Sequence, residues 1–442
     1  MAMHTIKKLL QMAVKTKISL FIGIKKTRKT DWAKVYYTDI WGTREAKLNT
    51  LVEGNLTFTQ LKMDQKMAYF IPFGSSDKDI YDKGVSIAEL FQINVTGIVS
   101  GNDGVAIAPT KSELVKRMNI VKNATDEKEI FELWGRYSRG QTAEKIQNDV
   151  LSEGMVTPIS FRPFDSRWTY YSGNSCGWVL WPREKSTMGH LLAEPTSPIG
   201  ENIGLVFCKT SRSFFCPFVS KNIIAHRLFS AMCEITYIAP LYLHFESEMI
   251  GQSWRSNLND NALNKLTQYL LVKPTPIEVF DYIYGILHDP VYCEKYEQYL
   301  CRDFPRVPVI NEPVEERARD SFFVSEELYK EYVATGERLR KLHLMQIKQP
   351  AEIVLEPETA DDMEIGAIKY KNGVLWINTN KRITGITQVV WEYQIGGYQV
   401  LDKWFKEHKG EVFTIEYFTH IQNVVGLLSE TIRLKEYLRK LH

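Results

Sequence analysis

The sequence has no apolar run long enough to cross a membrane, no zinc-type cysteine pattern and almost no net charge. Its clearest N-terminal apolar run, Ile18 to Ile24, is far shorter than the roughly 20 residues that a transmembrane helix needs. The six cysteines form no C-x-x-C pair, so we expect reduced thiols in a cytoplasmic protein and no zinc site. With 55 basic and 53 acidic side chains the chain is not a polycation, and any nucleic-acid surface must be local.

The common catalytic motifs are also missing. There is no phosphate-binding loop ending in Lys-Ser or Lys-Thr, no G-x-G-x-x-G after a strand and no H-E-x-x-H. One G-x-S-x-G match occurs at Gly173 to Gly177, but a strand-like segment follows it instead of a helix, so we expect a plain turn. The best nuclease-like set, Asp402 with Glu407-His408-Lys409, lies in a helical stretch and is predicted to be a solvated helix face.

Composition and periodicity predict a mixed α+β fold with four regions. Residues 1–50 contain two strand patterns, and residues 51–154 are charged and mostly helical. Residues 155–348 are rich in Phe, Trp, Tyr, Val and Ile, and are predicted to be β-rich with one helical hairpin. Residues 349–442 begin with an acidic linker, followed by a β-hairpin and C-terminal helices.

Two local signals predict hairpins. Helical spacing begins at Thr275, and Asp289-Pro290 supplies an N-cap and a first-turn proline for a second helix that runs to about Leu300. Asn372-Gly373 lies between two alternating runs and predicts a tight β-hairpin.

Basic side chains concentrate in two places. Residues 1–34 carry nine basic side chains and one acidic side chain, and residues 160–230 carry eight against four. In the second region, Phe161 to Tyr171 combines two arginines and an aspartate with five aromatic residues. Basic groups among aromatic and short polar side chains suit a surface that neutralises phosphates and contacts base edges. An ordinary Arg–Asp pair that supports a core would produce the same pattern.

A series of segments along nearly the whole chain resembles, in order, the C-terminal part of type ISP restriction-modification enzymes, which are single polypeptides. The matching segments are Val35 to Arg44, Ser100 to Gly104, Phe161 to Tyr171, Trp181-Pro182-Arg183, Tyr282 to His288 with Tyr292 and Tyr296, Asp303 to Arg306, Trp376 to Asn378, Ile383 to Ile386, and Val390 to Trp404.

The resemblance implies a target recognition region preceded by a remnant of the N6-adenine methyltransferase sheet. No Asn-Pro-Pro-Tyr motif occurs, and neither does a glycine-rich loop for S-adenosylmethionine, so methyl transfer by this chain alone is not expected. We therefore expect no cofactor in this chain, and the resemblance assigns S-adenosylmethionine, Mg²⁺ and ATP to family domains that it lacks. The implied partners are double-stranded DNA and the methyltransferase and nuclease portion of the same system, with no membrane.

The sequence thus predicts a DNA sequence-recognition module that is not catalytic by itself. The candidate DNA contacts are Arg162, Arg167, Arg183, Lys185, Lys209 and Arg212, with Lys25, Lys26, Arg28 and Lys29 as phosphate contacts. Two alternatives stay open. One is a protein-interaction subunit that docks through apolar helical faces at residues 277–300 and 398–438, and the other is a DNA-modifying enzyme with an unfamiliar site.

Overall fold

The computed structural model describes residues 34–40, 42–54, 56–61, 75–150, 153–183, 185–192, 200–211, 216–229, 234–247, 251–310, 322–358 and 361–442. The chain forms two compact units, residues 1–78 and residues 79–442, and each is treated by itself. In the described part of the first unit, strand Val35–Tyr37 pairs antiparallel with Thr59–Leu61, and helix Arg44–Glu53 lies between them in sequence. The other predicted N-terminal strand, Ile18 to Ile24, lies outside the described residues. No helix found in the described ranges has the length and apolar character of a membrane span.

Two four-stranded sheets form the centre of the second unit. Sheet one contains, in spatial order, strands Ile223–Ile224, Val156–Arg162, Asp165–Tyr170 and Ile107–Ala108. Sheet two contains strands Val95–Thr96, Thr236–Pro240, Gly204–Cys208 and Phe218–Ser220. The sheets are joined by a hydrogen bond between the Ser160 and Ser220 hydroxyls at 2.8 Å and by a bridge between Ile98 and Ala225. Their inner residues are buried and apolar, and they make the central core.

A third four-stranded sheet lies near the C-terminus and contains strands Val354–Glu356, Arg382–Thr384, Val374–Trp376 and Lys369–Lys371. The predicted turn at Asn372-Gly373 is present, and both residues have positive φ, as a tight hairpin requires. Shorter two-stranded pairs are Tyr242–Ser247 with Gly251–Ser256, Val85–Ser86 with Arg306–Val307, Val309–Ile310 with Phe323–Val324, and Gln394–Ile395 with Tyr398–Gln399.

Helices cover these sheets. The α-helices are Ser75–Tyr81, Ile87–Leu90, Asp103–Ala106, Lys111–Asn123, Glu127–Trp134, Ala143–Asp149, Lys185–Met188, Asp260–Thr267, Pro276–His288, Pro290–Leu300, Glu326–His343, Gln388–Trp391, Val400–Glu407 and Ile415–Arg439. Glu153–Met155 and Gly189–Leu191 are 3₁₀ turns. The mixed α+β class predicted from the sequence is confirmed.

The predicted helical hairpin is present and begins with a capping box. The Thr275 hydroxyl accepts a hydrogen bond from the Glu278 amide, and the Glu278 carboxylate accepts one from the Thr275 amide at 2.7 Å. The carboxylate of Asp289 caps the second helix by accepting a hydrogen bond from the Val291 amide at 2.9 Å. The first helix packs along Glu326–His343, and its residues from Val279 to His288 are buried.

Three features of the second unit differ from the predictions. The mostly helical segment 51–154 supplies strands Val85–Ser86, Val95–Thr96 and Ile107–Ala108, which are too short to show a periodic pattern. The prediction of an acidic linker was wrong at Val354–Glu356, which is a strand of the third sheet, because its backbone pairs antiparallel with Arg382–Thr384, a partner distant in sequence. Helix Glu326–His343 was not predicted.

The apolar helical faces that favoured a protein-interaction subunit are largely used inside the protein. Pro290–Leu300 and Glu326–His343 both contact the C-terminal helix Ile415–Arg439. The residues of that helix from Val424 to Leu428 are buried. These faces therefore form the core of the C-terminal part of the unit.

Candidate nucleic-acid interface

Arg162 and Arg167 lie on the two inner strands of sheet one, and each residue is buried, with 8% exposure. Nε of Arg162 donates to a Glu407 carboxylate oxygen at 3.3 Å, and Nη1 donates to the Phe161 carbonyl at 2.8 Å. Nε of Arg167 donates to both carboxylate oxygens of Asp165 at 3.1 Å. The two guanidinium groups also lie over the Phe161 ring, at 3.8 and 4.6 Å from its centroid. We call these five residues the arginine cluster.

The electrostatics of the arginine cluster are those of an internal ion network. Burial alone raises the pKa of Glu407, but the hydrogen bond from Lys403 and the charge of Arg162 outweigh burial, so the pKa is lowered and the carboxylate stays ionised. Burial lowers the pKa of Arg167, and the Asp165 carboxylate outweighs this effect, so the net shift is upward. Arg167 therefore stays charged, and both arginines are paired with carboxylates within the protein.

A groove of about 490 Å³ borders the arginine cluster. Its charged lining consists of four acids and two bases, namely Asp103, Glu113, Glu407, Glu411, Arg117 and Arg167. Both bases are already paired, Arg117 with Glu113 and Arg167 with Asp165. An acidic groove of this kind repels phosphate, so the arginine cluster is poorly suited to face a DNA backbone.

Arg183 lies at a different place, where sheets one and two meet. Its Nε donates to the Gly97 carbonyl at 3.1 Å, and Nη2 bonds to Nδ1 of His226 at 3.4 Å. Its guanidinium lies 5.8 Å from the ring centroid of Trp181, whose side chain is 50% exposed. The Nη1 group of Arg183 has no partner among the described residues. The side chain is thus fixed by two bonds and keeps one donor group for another molecule.

A row of side chains extends from Arg183 across the end of sheet two. Tyr237 lies close enough to Arg183 to influence its pKa, and the Tyr237 ring packs edge-on against Phe304 at 5.4 Å. The Lys209 ammonium lies 5.2 Å from the centre of the Phe304 ring. We call the set Trp181, Arg183, His226, Tyr237, Phe304 and Lys209 the basic–aromatic surface. Apart from Trp181, which is exposed, its members are partly exposed.

The protonation states of Arg183 and His226 decide which of these groups donates a hydrogen bond on the basic–aromatic surface. Burial and the neighbouring Arg183 charge lower the pKa of His226, so its ring is neutral at pH 7. Arginine can only donate, so Nδ1 of His226 accepts the bond from Arg183 and the proton lies on Nε2. Burial lowers the pKa of Arg183 and the interaction with Tyr237 raises it, but from 12.5 the shift leaves the side chain cationic.

The structure separates the predicted DNA contacts into three groups. Arg183 and Lys209 lie on the basic–aromatic surface, whereas Arg162 and Arg167 lie in the arginine cluster, where the contacts fit the alternative of a structural Arg–Asp pair. Lys185 begins helix Lys185–Met188, but its side chain is not among those described. Arg212, Lys25, Lys26, Arg28 and Lys29 lie outside the described residues.

Sequence reasoning missed His226, Tyr237 and Phe304 as members of this surface. Phe304 lies in the segment Asp303 to Arg306 that resembles the family, and strand alternation could place Tyr237 on an outward face. Nothing in the sequence indicates that Phe304 contacts Lys209, because the two residues are distant along the chain and meet only through the packing of the fold.

The two segments whose sequences resemble catalytic motifs have structural roles. The Gly173 to Gly177 segment is a turn held by buried Asp149, whose carboxylate accepts hydrogen bonds from the Trp178 amide at 2.8 Å and the Asn174 side chain at 2.9 Å. Asp402 pairs with Lys406 at 2.7 Å on one helix. In the part of the chain that the structure describes, no group of three or more acidic, histidine or cysteine side chains is placed to hold a metal ion.

A family model described as the Type ISP C-terminal specificity domain matches residues 89–434. The chain belongs to this family. The match begins just before sheet two and ends in the last helix, so it includes both the basic–aromatic surface and the arginine cluster. No curated protein is significantly similar to the sequence.

Three solved structures share the fold. The ATP-dependent Type ISP restriction-modification enzyme LlaBIII bound to DNA aligns with 94% of this chain at 17% identity and a TM-score of 0.67, over 28% of its own length. A nuclease-deletion mutant of the Type ISP enzyme LlaGI, in complex with a DNA substrate mimic, aligns with 91% at 16% identity and a TM-score of 0.62, over 33% of its length. The DrdV–DNA complex aligns with 92% at 19% identity and a TM-score of 0.63, over 43% of its length. This specificity domain therefore spans less than half of each solved chain.

Proposed function

We propose that this specificity domain is the DNA target recognition module of a type ISP restriction-modification enzyme and is not catalytic by itself. The basic–aromatic surface is the observation that carries the proposal. It presents two cations and three aromatic side chains at the end of sheet two, and the Nη1 group of the first cation, Arg183, has no partner among the described residues. Cations contact phosphates, and positioned arginine donors read the edges of bases in the major groove.

The rest of the system supplies the chemistry in this proposal. Each solved neighbour contains a much longer chain, and their names describe an ATP-dependent restriction-modification enzyme and a nuclease-deletion mutant. We infer that S-adenosylmethionine, Mg²⁺ and ATP act in methyltransferase, nuclease and translocase parts, and that this module uses no cofactor. A cytoplasmic location belongs to the same proposal, and among the described residues Cys176, Cys208, Cys216 and Cys293 form no disulfide, as expected in a reducing compartment.

Two substitutions test the proposed surface. Arg183→Ala is expected to weaken binding of the target duplex by about 1–3 kcal/mol and to relax preference at one base position, since it removes a fixed donor. Lys209→Ala is expected to weaken binding of all duplexes similarly and to lower the slope of log affinity against log salt by about one. Fluorescence anisotropy with labelled duplexes at several salt concentrations measures both effects.

The matched control is Arg433→Ala, which removes an exposed arginine from the C-terminal helix, where it pairs with Glu430 at 2.7 Å. This control is expected to bind DNA as the unchanged chain does. Equal affinities for the unchanged chain, Arg183→Ala and Lys209→Ala, with the fold intact by circular dichroism, would remove this surface from the proposal.

A further inference from the structure

Trp181 is the exposed side chain of an otherwise buried segment. Its neighbours Trp178, Val179, Leu180 and Pro182 are buried, whereas the indole is 50% exposed. Large aromatic side chains are costly to leave in water, and half-exposed tryptophans are common at the centres of binding surfaces. The segment therefore directs one large flat ring outward from a well-packed base.

The backbone that carries this ring is held firmly. The Val99 amide donates to the Trp181 carbonyl at 3.0 Å, and the Trp181 amide donates to the Val99 carbonyl at 2.9 Å. One residue earlier, the Leu180 amide donates to the Ser100 carbonyl at 3.1 Å. A fixed backbone limits the entropy that the side chain loses on binding, so the ring is pre-organised for a contact.

The cation beside the ring is fixed to the same base. Arg183 is held to the Gly97 carbonyl, and Gly97 lies so close to Ala225 that an added Cβ would come within 2.5 Å of the Ala225 carbonyl carbon. The Nη1 donor of Arg183, which has no partner in the described part of the chain, is therefore held close to the exposed indole. A flat ring and an adjacent fixed cation match an opened DNA base step, where unstacking exposes the face of a base next to a phosphate.

We propose that Trp181 is a stacking wedge, which packs its indole against a base at one step of the bound target while Arg183 contacts the adjoining phosphate. The inference rests on the proposed function, because it assigns a mechanism to the same surface. The contact is to the face of a base, so it reads how easily a step unstacks and adds specificity without a hydrogen bond to the base edge.

The test uses target duplexes enriched by the unchanged chain, with 2-aminopurine placed at successive positions. The unchanged chain is expected to change 2-aminopurine fluorescence at one step, because the wedge replaces stacking between two bases with stacking of a base on the indole. Trp181→Ala is expected to abolish that signal and weaken binding about tenfold, equivalent to about 1.4 kcal/mol. Trp181→Phe, which keeps an aromatic ring, is expected to retain most of both.

Phe131→Ala is the matched control, since Phe131 is an aromatic residue with 49% exposure on helix Glu127–Trp134, and it should change neither readout. If Trp181→Ala keeps both the affinity and the fluorescence signal, the wedge is contradicted while the proposed function stands. If the unchanged chain binds no duplex, both the wedge and the proposed function fail.

Discussion

The arginines of this domain have different roles, and each role depends on the groups that the side chain contacts. Arg162 and Arg167 have carboxylate, carbonyl and ring partners inside the protein, whereas the Nη1 group of Arg183 has no partner within the described ranges. All three lie in segments that resemble the family, so the sequence marks them equally. The distinction comes from Glu407 and Gly97, which are far from these arginines in sequence and adjacent only in the fold.

Arg167→Ala is predicted to destabilise the domain by about 3–5 kcal/mol, because it leaves the buried Asp165 carboxylate without its bidentate partner. Urea unfolding followed by circular dichroism measures the change. Arg433→Ala breaks an exposed pair and should cost no more than about 1 kcal/mol. A stable Arg167→Ala variant that has lost DNA affinity would instead make Arg167 a direct DNA contact.

At the scale of elements, helices Pro276–His288 and Glu326–His343 cross at a pair of glycines, one on each helix. A Cβ added to Gly285 would lie 2.3 Å from the Tyr332 carbonyl oxygen, and one added to Gly336 would lie 1.9 Å from the Asp281 carbonyl oxygen. Next to this crossing, Arg340 donates two hydrogen bonds to the Asp281 carboxylate, at 2.6 and 2.9 Å. The close approach and the buried ion pair together fix how Pro276–His288 and Glu326–His343 pack.

Gly336→Ala is therefore predicted to destabilise the domain by about 2 kcal/mol or more, although alanine is intrinsically favoured over glycine in a helix by about 1 kcal/mol. The clash is with backbone atoms, which cannot rotate away as a side chain can. Thermal and urea unfolding measure the effect. Gly104→Ala is the control, because its nearest atom would be an Asn102 side-chain oxygen at 3.5 Å, and a similar loss in both variants would contradict the crossing argument.

For the elements that were predicted correctly, the residues that indicate the element lie close together along the chain. The Thr275 capping box, the Asp289-Pro290 helix start and the Asn372-Gly373 turn each depend on residues within a few positions of one another. The two-residue strands at Val85 and Val95 and the helix Glu326–His343 were missed. The two strands exist because of pairing with partners distant in sequence, Arg306–Val307 for the first and Thr236–Pro240 for the second.

At the scale of the whole molecule, the distribution of charge matters more than its total. The formal net charge of +2 gives no long-range attraction to DNA, and the arginine cluster borders an acidic groove, so the proposed binding depends on local surfaces such as the basic–aromatic surface. Family membership and the α+β class followed from motif order and composition. The candidate site followed only in part, because Arg183 and Lys209 were found from the sequence while His226, Tyr237 and Phe304 were not.

Selection of bound duplexes from a randomised DNA pool, at about 50 mM and about 200 mM salt, tests most directly the claim that this domain recognises a DNA sequence. We predict enrichment of one short sequence that persists at the higher salt, because base contacts are retained when phosphate contacts are screened. Binding without enrichment that disappears at the higher salt, or no binding at either, would contradict the claim.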